Sequence, residues 1–196
     1  METWARTNLK WLLDPAVAVA RALRLSPNLV TVLGTLLNVV AAVLIAQGQV
    51  VAGGLVMTFL AMPLDAIDGG LARATGQTTR FGAFLDSVLD RLAEGALLVG
   101  LAVFFGAQGD LTLVAVSFVA MIGSFLVSYT RARAEGLGLE CKVGLFSRLG
   151  RFLLLAVGLC LNFPGPMVIA LAALSSLTAL QRVLHVERQL RDADGE

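Results

Sequence analysis

A series of apolar runs constrains this chain most, because several reach the roughly 20 residues that a helix needs to cross a bilayer. Hydrophobic residues make up 57% of the 196 residues and charged residues only 15%, whereas a soluble domain carries about 25% charged residues. Gly and Pro separate the runs. The sequence therefore predicts an all-α, polytopic membrane protein with six transmembrane helices, at about 28–47, 50–72, 82–106, 111–134, 145–162 and 165–185.

The N-terminal segment has a different pattern. At about 100° per residue, its charged residues share one stripe and its tryptophans lie on the far side, which indicates an amphipathic helix in the headgroup plane. A disordered basic leader is the alternative. The stripe consists of Arg6, Lys10, Asp14, Arg21 and Arg24, opposite Trp4 and Trp11. We expect one membrane domain over 1–196, with an interfacial helix at 1–25, a six-helix bundle at 28–185 and a cytoplasmic tail at 186–196.

Basic residues are confined to one side of the predicted bundle. They surround both termini and the loops near 75–80 and 135–144, and none lies near the other three loops. The positive-inside rule places that side in the cytoplasm, so we expect a multi-pass protein of the cell membrane. Two cysteines outside any CxxC and a single histidine argue against zinc, thiol-redox and haem chemistry.

The stretch LDAIDGGLARATGQTTRFGAFLDSVLDRLAEG, residues 64–95, concentrates carboxylates in this apolar chain. Asp65 and Asp68 are spaced i, i+3 on the second span, and Asp86, Asp90 and Glu94 follow at i, i+4 and i+8 on the third. A charge inside a bilayer costs roughly 2.5–3.5 kcal/mol on insertion scales. The cluster therefore needs a compensating partner.

A divalent metal is the partner that the spacing favours. Neighbouring antiparallel spans can turn both acid rows toward each other, and Gly69, Ala72 and Gly82 would let their backbones approach closely. All-oxygen ligands suit Mg²⁺, Mn²⁺ or Ca²⁺, and Mg²⁺ usually shares its shell with phosphate, which suggests a diphosphate substrate. Two alternatives are buried salt bridges to Arg73, Arg80 and Arg91, and an ion or proton pathway.

The spacing D65-x2-D68-G69-x2-A72-R73-x8-G82-x3-D86-x3-D90 resembles the signature of the CDP-alcohol phosphotransferases. This resemblance implies transfer from a CDP-linked lipid with release of CMP, and a bundle of six spans. It assigns two divalent ions, Mg²⁺ or Mn²⁺, to Asp65, Asp68, Asp86 and Asp90, with Asp90 also the general base. SPNLVT resembles the family's Pro-Asn-x-x-Thr element. Nucleotide contacts are thereby implied for Asn28, Thr31, Gly69, Arg73 and Gly82.

The region around residues 128–151 resembles the subgroup that makes phosphatidylinositol phosphate or its archaeal ether analogue. The resemblance implies an acceptor phosphate held by Ser128, Arg131, Arg133, Arg148, Arg151 and Arg182; anchoring of the cytoplasmic ends is the alternative for these bases. Asn28 stands where actinobacterial members have Asp, and Ser147 and Gly150 stand where Glu precedes each Arg. These departures leave glycerol 3-phosphate open beside inositol 1-phosphate.

The expected partners are CDP-diacylglycerol or an ether analogue, a phosphorylated alcohol, the lipid bilayer and, by family analogy, a second copy in a homodimer; no nucleic acid is expected. Two other classes are weighed against this transferase. A membrane prenyltransferase also uses Asp-rich helices with Mg²⁺ on a diphosphate, but normally has more spans and two separate motifs. A non-catalytic ion carrier would transport cations without forming CMP.

Overall fold

The computed structural model describes residues 17–23 and 25–194, and this part of the chain is helical and contains no strand. The predicted interfacial helix falls largely outside the described residues, and so do both tryptophans. Residues 17–22 are helical. Ala20 of this segment is buried with Val30, Ile67 and Leu71. The segment therefore packs against the start of the first long helix and the end of the second, which are their cytoplasmic ends in the predicted orientation.

Six long helical elements follow in the described chain, with bounds α1 Pro27–Ala46, α2 Val50–Thr75, α3 Arg80–Ala107, α4 Leu111–Glu135, α5 Arg148–Cys160 and α6 Pro164–Asp194. The all-α prediction is confirmed. Four of the six, α1, α2, α4 and α6, are long and apolar enough to cross a membrane. The chain is thus a multi-pass membrane protein, and spanning by α3 and α5 stays a prediction.

α3 and α5 fall outside the four helices that are long and apolar enough to span a membrane, each for its own reason. α3 carries all its charges in residues 80–94, where the carboxylate window lies. α5 has 13 residues, or about 20 Å at 1.5 Å per residue, which is shorter than the roughly 30 Å hydrocarbon core. It begins three residues later than the predicted span, because Ser147 caps it by accepting a hydrogen bond from Gly150 N at 3.3 Å.

Local sequence explains where the site-bearing helices begin and end. Ser26 caps α1 and Pro27 occupies its first turn, both favoured residue types at these positions. α2 ends at Gly76, whose φ of 66° is left-handed. Thr79 caps α3 by accepting from Gly82 N at 2.9 Å. Two polar caps and one left-handed glycine therefore define the site-bearing ends of these helices.

α1 packs closely on α3. A methyl group at Gly100 of α3 would lie 2.5 Å from the Ala42 carbonyl oxygen of α1, so only glycine allows this approach. The same helices meet in a core cluster with Ile45, Leu97 and Leu101, each fully buried. α4 packs on α6, and α5 lies against the first half of α2 and against α6. α1 is thus a central helix, placed beside the acids of both α2 and α3.

A π-helical turn interrupts α2 at Met57–Ala61, and it ends two residues before Pro63. Proline cannot donate a backbone hydrogen bond and its ring clashes with the preceding turn, and a wider turn relieves both problems. One extra residue in a turn rotates every later side chain by about 100° around the axis. The turn therefore fixes the direction in which Asp65 and Asp68 point.

Candidate active site

The structure brings three of the four predicted metal-binding aspartates together. Carboxylate oxygens of Asp65, Asp68 and Asp86 all lie within 4.8 Å of one another. Asp68 is buried, Asp86 is half-buried and Asp65 is exposed. Convergent carboxylates are ligands that Mg²⁺ and Mn²⁺ prefer, and like charges at this separation repel unless a cation lies among them. The donor set therefore fits a divalent ion.

The fourth aspartate, Asp90, joins this cluster through Arg148. The Nη2 atom of Arg148 donates to Asp65 Oδ1 at 2.7 Å and also to Asp90 Oδ1. Arg91 lies 3.5 Å from the other oxygen of Asp90. Arg148 comes from α5, and its guanidinium rests over the Phe152 ring at 5.4 Å. One cation thus bridges acids from α2 and α3. The salt-bridge alternative named Arg73, Arg80 and Arg91, and of these Arg91 lies beside Asp90.

Asp68 is oriented by a helix that does not belong to the acid motif. The Thr31 hydroxyl of α1 donates to Asp68 Oδ2 at 2.7 Å, and Gly69 N donates to Asp68 Oδ1. The predicted element around Thr31 therefore contacts the predicted metal site directly. A hydroxyl donor keeps the carboxylate oriented without adding a competing positive charge.

The cluster lies between two cavities. One, of about 180 Å³, is lined by Asp68 and Asp86, and the other, of about 220 Å³, by Asp65 and Asp90. Thr31 lines both. The four acids therefore form a partition that can be reached from either side.

The first cavity contains all five residues predicted to contact the nucleotide: Asn28, Thr31, Gly69, Arg73 and Gly82. A methyl group at Gly82 would lie 3.2 Å from Asn28 Oδ1, and one at Gly69 would lie 3.4 Å from the Arg73 guanidinium. The interpretation that these glycines allow α2 and α3 to pack closely is therefore wrong. They leave space in a cavity, and the close helix contact is made by Gly100 against α1.

The second cavity passes between α1, α2, α3 and α5. Among the described residues predicted to bind the acceptor phosphate, Arg148 alone lines either cavity. The remainder of its wall includes apolar side chains and two buried polar ones, Thr35 and Asn38 of α1. The sequence analysis did not select these two, although polar residues that follow Thr31 at intervals of one turn inside an apolar span are a recognisable signal.

The other predicted phosphate ligands have separate partners. Arg151 is 2% exposed and forms a bidentate pair with Glu94, at 2.7 Å and 3.2 Å. Arg182 is buried and donates to the carbonyls of Val127 and Val143. Arg131 pairs with Glu135 on the surface of α4 at 2.8 Å. Arg133 is exposed and Ser128 half-buried on the same helix.

Comparison with known proteins finds relatives that match nearly the whole chain. The family model for CDP-alcohol phosphatidyltransferase matches residues 24–185. Phosphatidylinositol phosphate synthase of Streptomyces avermitilis is 37% identical over 210 residues, covering 99% of this chain and 85% of that protein. Archaetidylinositol phosphate synthase of Pyrococcus horikoshii is 35% identical over 187 residues, covering 94% and 96%.

Solved structures of one further relative show the same fold. Mycobacterium tuberculosis phosphatidylinositol phosphate synthase with CDP-DAG bound has a TM-score of 0.81 and 32% identity, covering 89% of this chain and 92% of that chain. Its complex with manganese and citrate also gives a TM-score of 0.81 at 32% identity, with 88% and 87% covered. The likeness therefore extends over nearly the whole bundle.

Proposed function

The chain belongs to the CDP-alcohol phosphatidyltransferase family and is a transferase, and from that premise we propose that it makes phosphatidylinositol phosphate. The donor is CDP-diacylglycerol or its ether analogue, the acceptor is inositol 1-phosphate, and CMP leaves. The names of the relatives in Streptomyces and Pyrococcus support this choice of acceptor. The same chemistry with glycerol 3-phosphate is the second candidate, favoured by Ser147 and Gly150 at positions where the subgroup carries Glu.

One observation carries the proposal: two cavities meet at the four acids, and each cavity is lined by two of them. A group transfer requires donor and acceptor to meet in line at one phosphorus atom. A partition of carboxylates with space on both sides supplies such a meeting point. Asp68 and Asp86 face the donor side, and Asp65 and Asp90 face the acceptor side.

The donor side binds the cytidine diphosphate part. Arg73 offers a guanidinium that can hold a phosphate through two hydrogen bonds. Asn28 and Gly82 lie together at the wall of this cavity, where the glycine leaves space for the nucleotide. Thr31 keeps Asp68 oriented through its 2.7 Å hydrogen bond.

The cluster Asp65, Asp68, Asp86 and Asp90 would hold two divalent ions, Mg²⁺ or Mn²⁺, as its carboxylate donor set permits. Such ions neutralise a bound diphosphate and stabilise the charge that develops on the leaving CMP. The manganese complex of the Mycobacterium tuberculosis relative supports metal dependence.

The acceptor side carries the proton transfer. Asp90 accepts the proton of the acceptor hydroxyl while that oxygen attacks the phosphorus attached to diacylglycerol, and the bond from this phosphorus to the oxygen of CMP breaks. Arg148 is the positively charged side chain closest to the reaction. When another cation holds the acids, its guanidinium can exchange its contacts with Asp65 and Asp90 for the acceptor's phosphate. The site faces the cytoplasm in this proposal, and the protein acts as a homodimer.

The test is CMP release by the purified protein from radiolabelled CDP-diacylglycerol with a panel of acceptors. We expect release with inositol 1-phosphate and Mg²⁺ or Mn²⁺. Preference for glycerol 3-phosphate would select the second candidate. Absence of acceptor-dependent CMP release would overturn both, and consumption of a prenyl diphosphate or cation transport in liposomes would then favour the other classes.

Asp90→Asn provides the first prediction. It should reduce turnover by at least about 100-fold, because general base catalysis is typically worth 10²- to 10⁴-fold, while binding of CDP-diacylglycerol is largely retained. Asp110→Asn is a matched control, since Asp110 caps α4 by accepting from Leu113 N at 2.9 Å and lines neither cavity. Retained turnover in Asp90→Asn would remove Asp90 as the base.

A further inference from the structure

The second cavity has a polar wall on α1 that the proposed chemistry does not use. Thr35 is 8% exposed and Asn38 is 6% exposed, and both line the cavity together with Asp65 and Asp90. They follow Thr31 at intervals of one helical turn, so the three share a helix face. A ligand at the partition would therefore lie within reach of this face.

Asn38 leaves one strong hydrogen-bond acceptor without a partner. Its Nδ2 donates to the Gly34 carbonyl at 3.0 Å. The Gly34 carbonyl oxygen can only accept, so the amide atom that faces it must be the nitrogen, and the other amide atom is the oxygen Oδ1. Oδ1 is buried and has no hydrogen-bond partner among the described residues. A buried acceptor left in this condition is destabilising, and a bound donor would relieve it.

Apart from the Arg148 guanidinium, the polar groups that line this cavity beside Asn38 offer acceptors. Thr35 donates its hydroxyl proton to the Thr31 carbonyl at 3.0 Å, so its Oγ1 has only lone pairs left for a ligand. Asp65 and Asp90, when ionised, also only accept. A wall of this kind recognises a ligand that carries several hydroxyl donors.

Chemistry decides which substrate can supply those donors. The diacylglycerol part of the donor lipid has ester oxygens but no O–H or N–H group. Cytidine has such groups, but the cavity proposed for it is the other one, with Asn28 and Gly82. The acceptor polyol is the remaining donor-rich substrate.

We infer that Asn38 Oδ1 accepts a hydrogen bond from a non-reacting hydroxyl of the acceptor polyol, and that Asn38 thereby helps to select the acceptor. This inference rests on the proposed function, because it places the acceptor on the Asp90 side of the partition. Asn38 contacts the substrate through a group that takes no part in bond making or breaking. It acts on acceptor binding and not on the transferred phosphorus.

The first experiment measures kinetics of Asn38→Leu, which keeps the side-chain shape and removes the acceptor. We expect the KM for inositol 1-phosphate to rise about 3- to 10-fold, the size of one neutral hydrogen bond, with kcat and the KM for CDP-diacylglycerol little changed. Ser117→Ala is the control, since Ser117 is also buried but donates to the Leu113 carbonyl of its own helix and lines neither cavity. Thermal unfolding of Asn38→Leu should occur at no lower temperature than that of the wild type, because the unpartnered acceptor is removed, and this separates the effect from misfolding.

The deciding experiment is a thermodynamic cycle that combines the Asn38→Leu substitution in the protein with removal of single hydroxyls from the ligand. Wild type and Asn38→Leu are each assayed with inositol 1-phosphate and with its monodeoxy analogues. At one ring position, removal of the hydroxyl should weaken binding to the wild type and have no further effect in Asn38→Leu. Additive losses at every position would leave a water molecule as the partner of Asn38 and overturn the inference.

Failure of the proposed acceptor gives a different result. If the wild type releases CMP with glycerol 3-phosphate and not with inositol 1-phosphate, the proposed acceptor is wrong. The cycle is then run with propane-1,3-diol monophosphate, which lacks the secondary hydroxyl, and the same coupling supports or overturns the role of Asn38. Without release for any acceptor, both proposals fall.

Discussion

At the scale of single residues, Arg148 occupies the position of a counter-cation in the acid cluster. One nitrogen of its guanidinium bridges Asp65 and Asp90, which come from different helices. A divalent ion held by the same carboxylates would have to displace this contact, because two cations cannot share the same oxygens without repulsion. Arg148 thus links the metal site to the acceptor side.

This competition gives a prediction for Arg148→Gln. The variant should bind Mn²⁺ several-fold more tightly than the wild type, measured by paramagnetic resonance of free Mn²⁺, because the bridging charge is gone. Its turnover should fall, because Arg148 is also the proposed contact to the acceptor's phosphate. Arg191→Gln is the control, since Arg191 pairs with Glu187 far along α6. Unchanged or weaker Mn²⁺ binding in Arg148→Gln would show that arginine and metal do not compete.

The buried pair Glu94 with Arg151 poses a different question at the same scale. Both side chains are almost fully buried and joined by two hydrogen bonds. Removing one partner of such a pair strands a charge and costs about 3–5 kcal/mol, whereas replacing both with apolar residues is often neutral. The resemblance assigned Arg151 to the acceptor's phosphate, while the geometry gives it a structural partner.

Two variants separate these roles. Glu94→Leu alone should lower the stability of the protein in detergent strongly, and the double variant Glu94→Leu with Arg151→Met should recover most of it. If Arg151 serves packing only, the double variant also keeps the acceptor KM of the wild type. A stable double variant with a greatly raised acceptor KM would instead place Arg151 in the phosphate site.

At the scale of elements, α1 organises a site whose motif lies on α2 and α3. The sequence predicted the acids, their helices and their convergence, because periodicity and the spacing of the signature are local properties. It did not predict that α3 would pack against α1, since nothing in a single sequence ranks one helix partner over another. The partner of Glu94 was missed for the same reason, as Arg151 lies 57 residues further along the chain.

The contact of Gly100 with Ala42 is the element-level feature most open to test. Gly100→Ala should destabilise the bundle by about 1–3 kcal/mol, the usual cost of overpacking, because the added methyl group would lie 2.5 Å from the Ala42 carbonyl oxygen. Gly106→Ala in the same helix is a matched control, since its methyl group would lie 3.7 Å from the nearest atom, on Val114. Thermal unfolding in detergent compares the two. Equal stability would mean that α1 and α3 can separate without cost.

At the scale of the whole molecule, every predicted span corresponds to a helix, but the ends differ where tertiary contacts act. α6 runs to Asp194, nine residues past its predicted end, and α5 starts late because residues 136–147 form a loop tied to α6. Phe146 N donates to Thr178 and Leu145 N to Gln181 across 32 and 36 residues. Hydropathy could not show this loop, because its anchors are contacts between distant parts of the chain.

The orientation of the molecule in the membrane gives the last prediction. α4 has 25 residues, about 37 Å at 1.5 Å per residue, which exceeds the hydrocarbon core. Arg131 and Arg133 lie at its C-terminal end and Asp110 at its N-terminal end. By the positive-inside rule, the loop after Glu135 faces the cytoplasm and the loop before Leu111 faces outward.

Single-cysteine reporters test this orientation directly. With Cys141 and Cys160 replaced by Ala, Gln108→Cys and Leu137→Cys mark the two exposed ends of α4. In intact cells a membrane-impermeant maleimide should label Gln108→Cys alone, and permeabilised cells should show labelling of both. Labelling of Leu137→Cys in intact cells would invert the topology. In the predicted spans the acid-bearing ends of α2 and α3 lie on the same side of the membrane as this loop. An inverted topology would therefore also place the acid cluster away from a cytoplasmic supply of inositol phosphate.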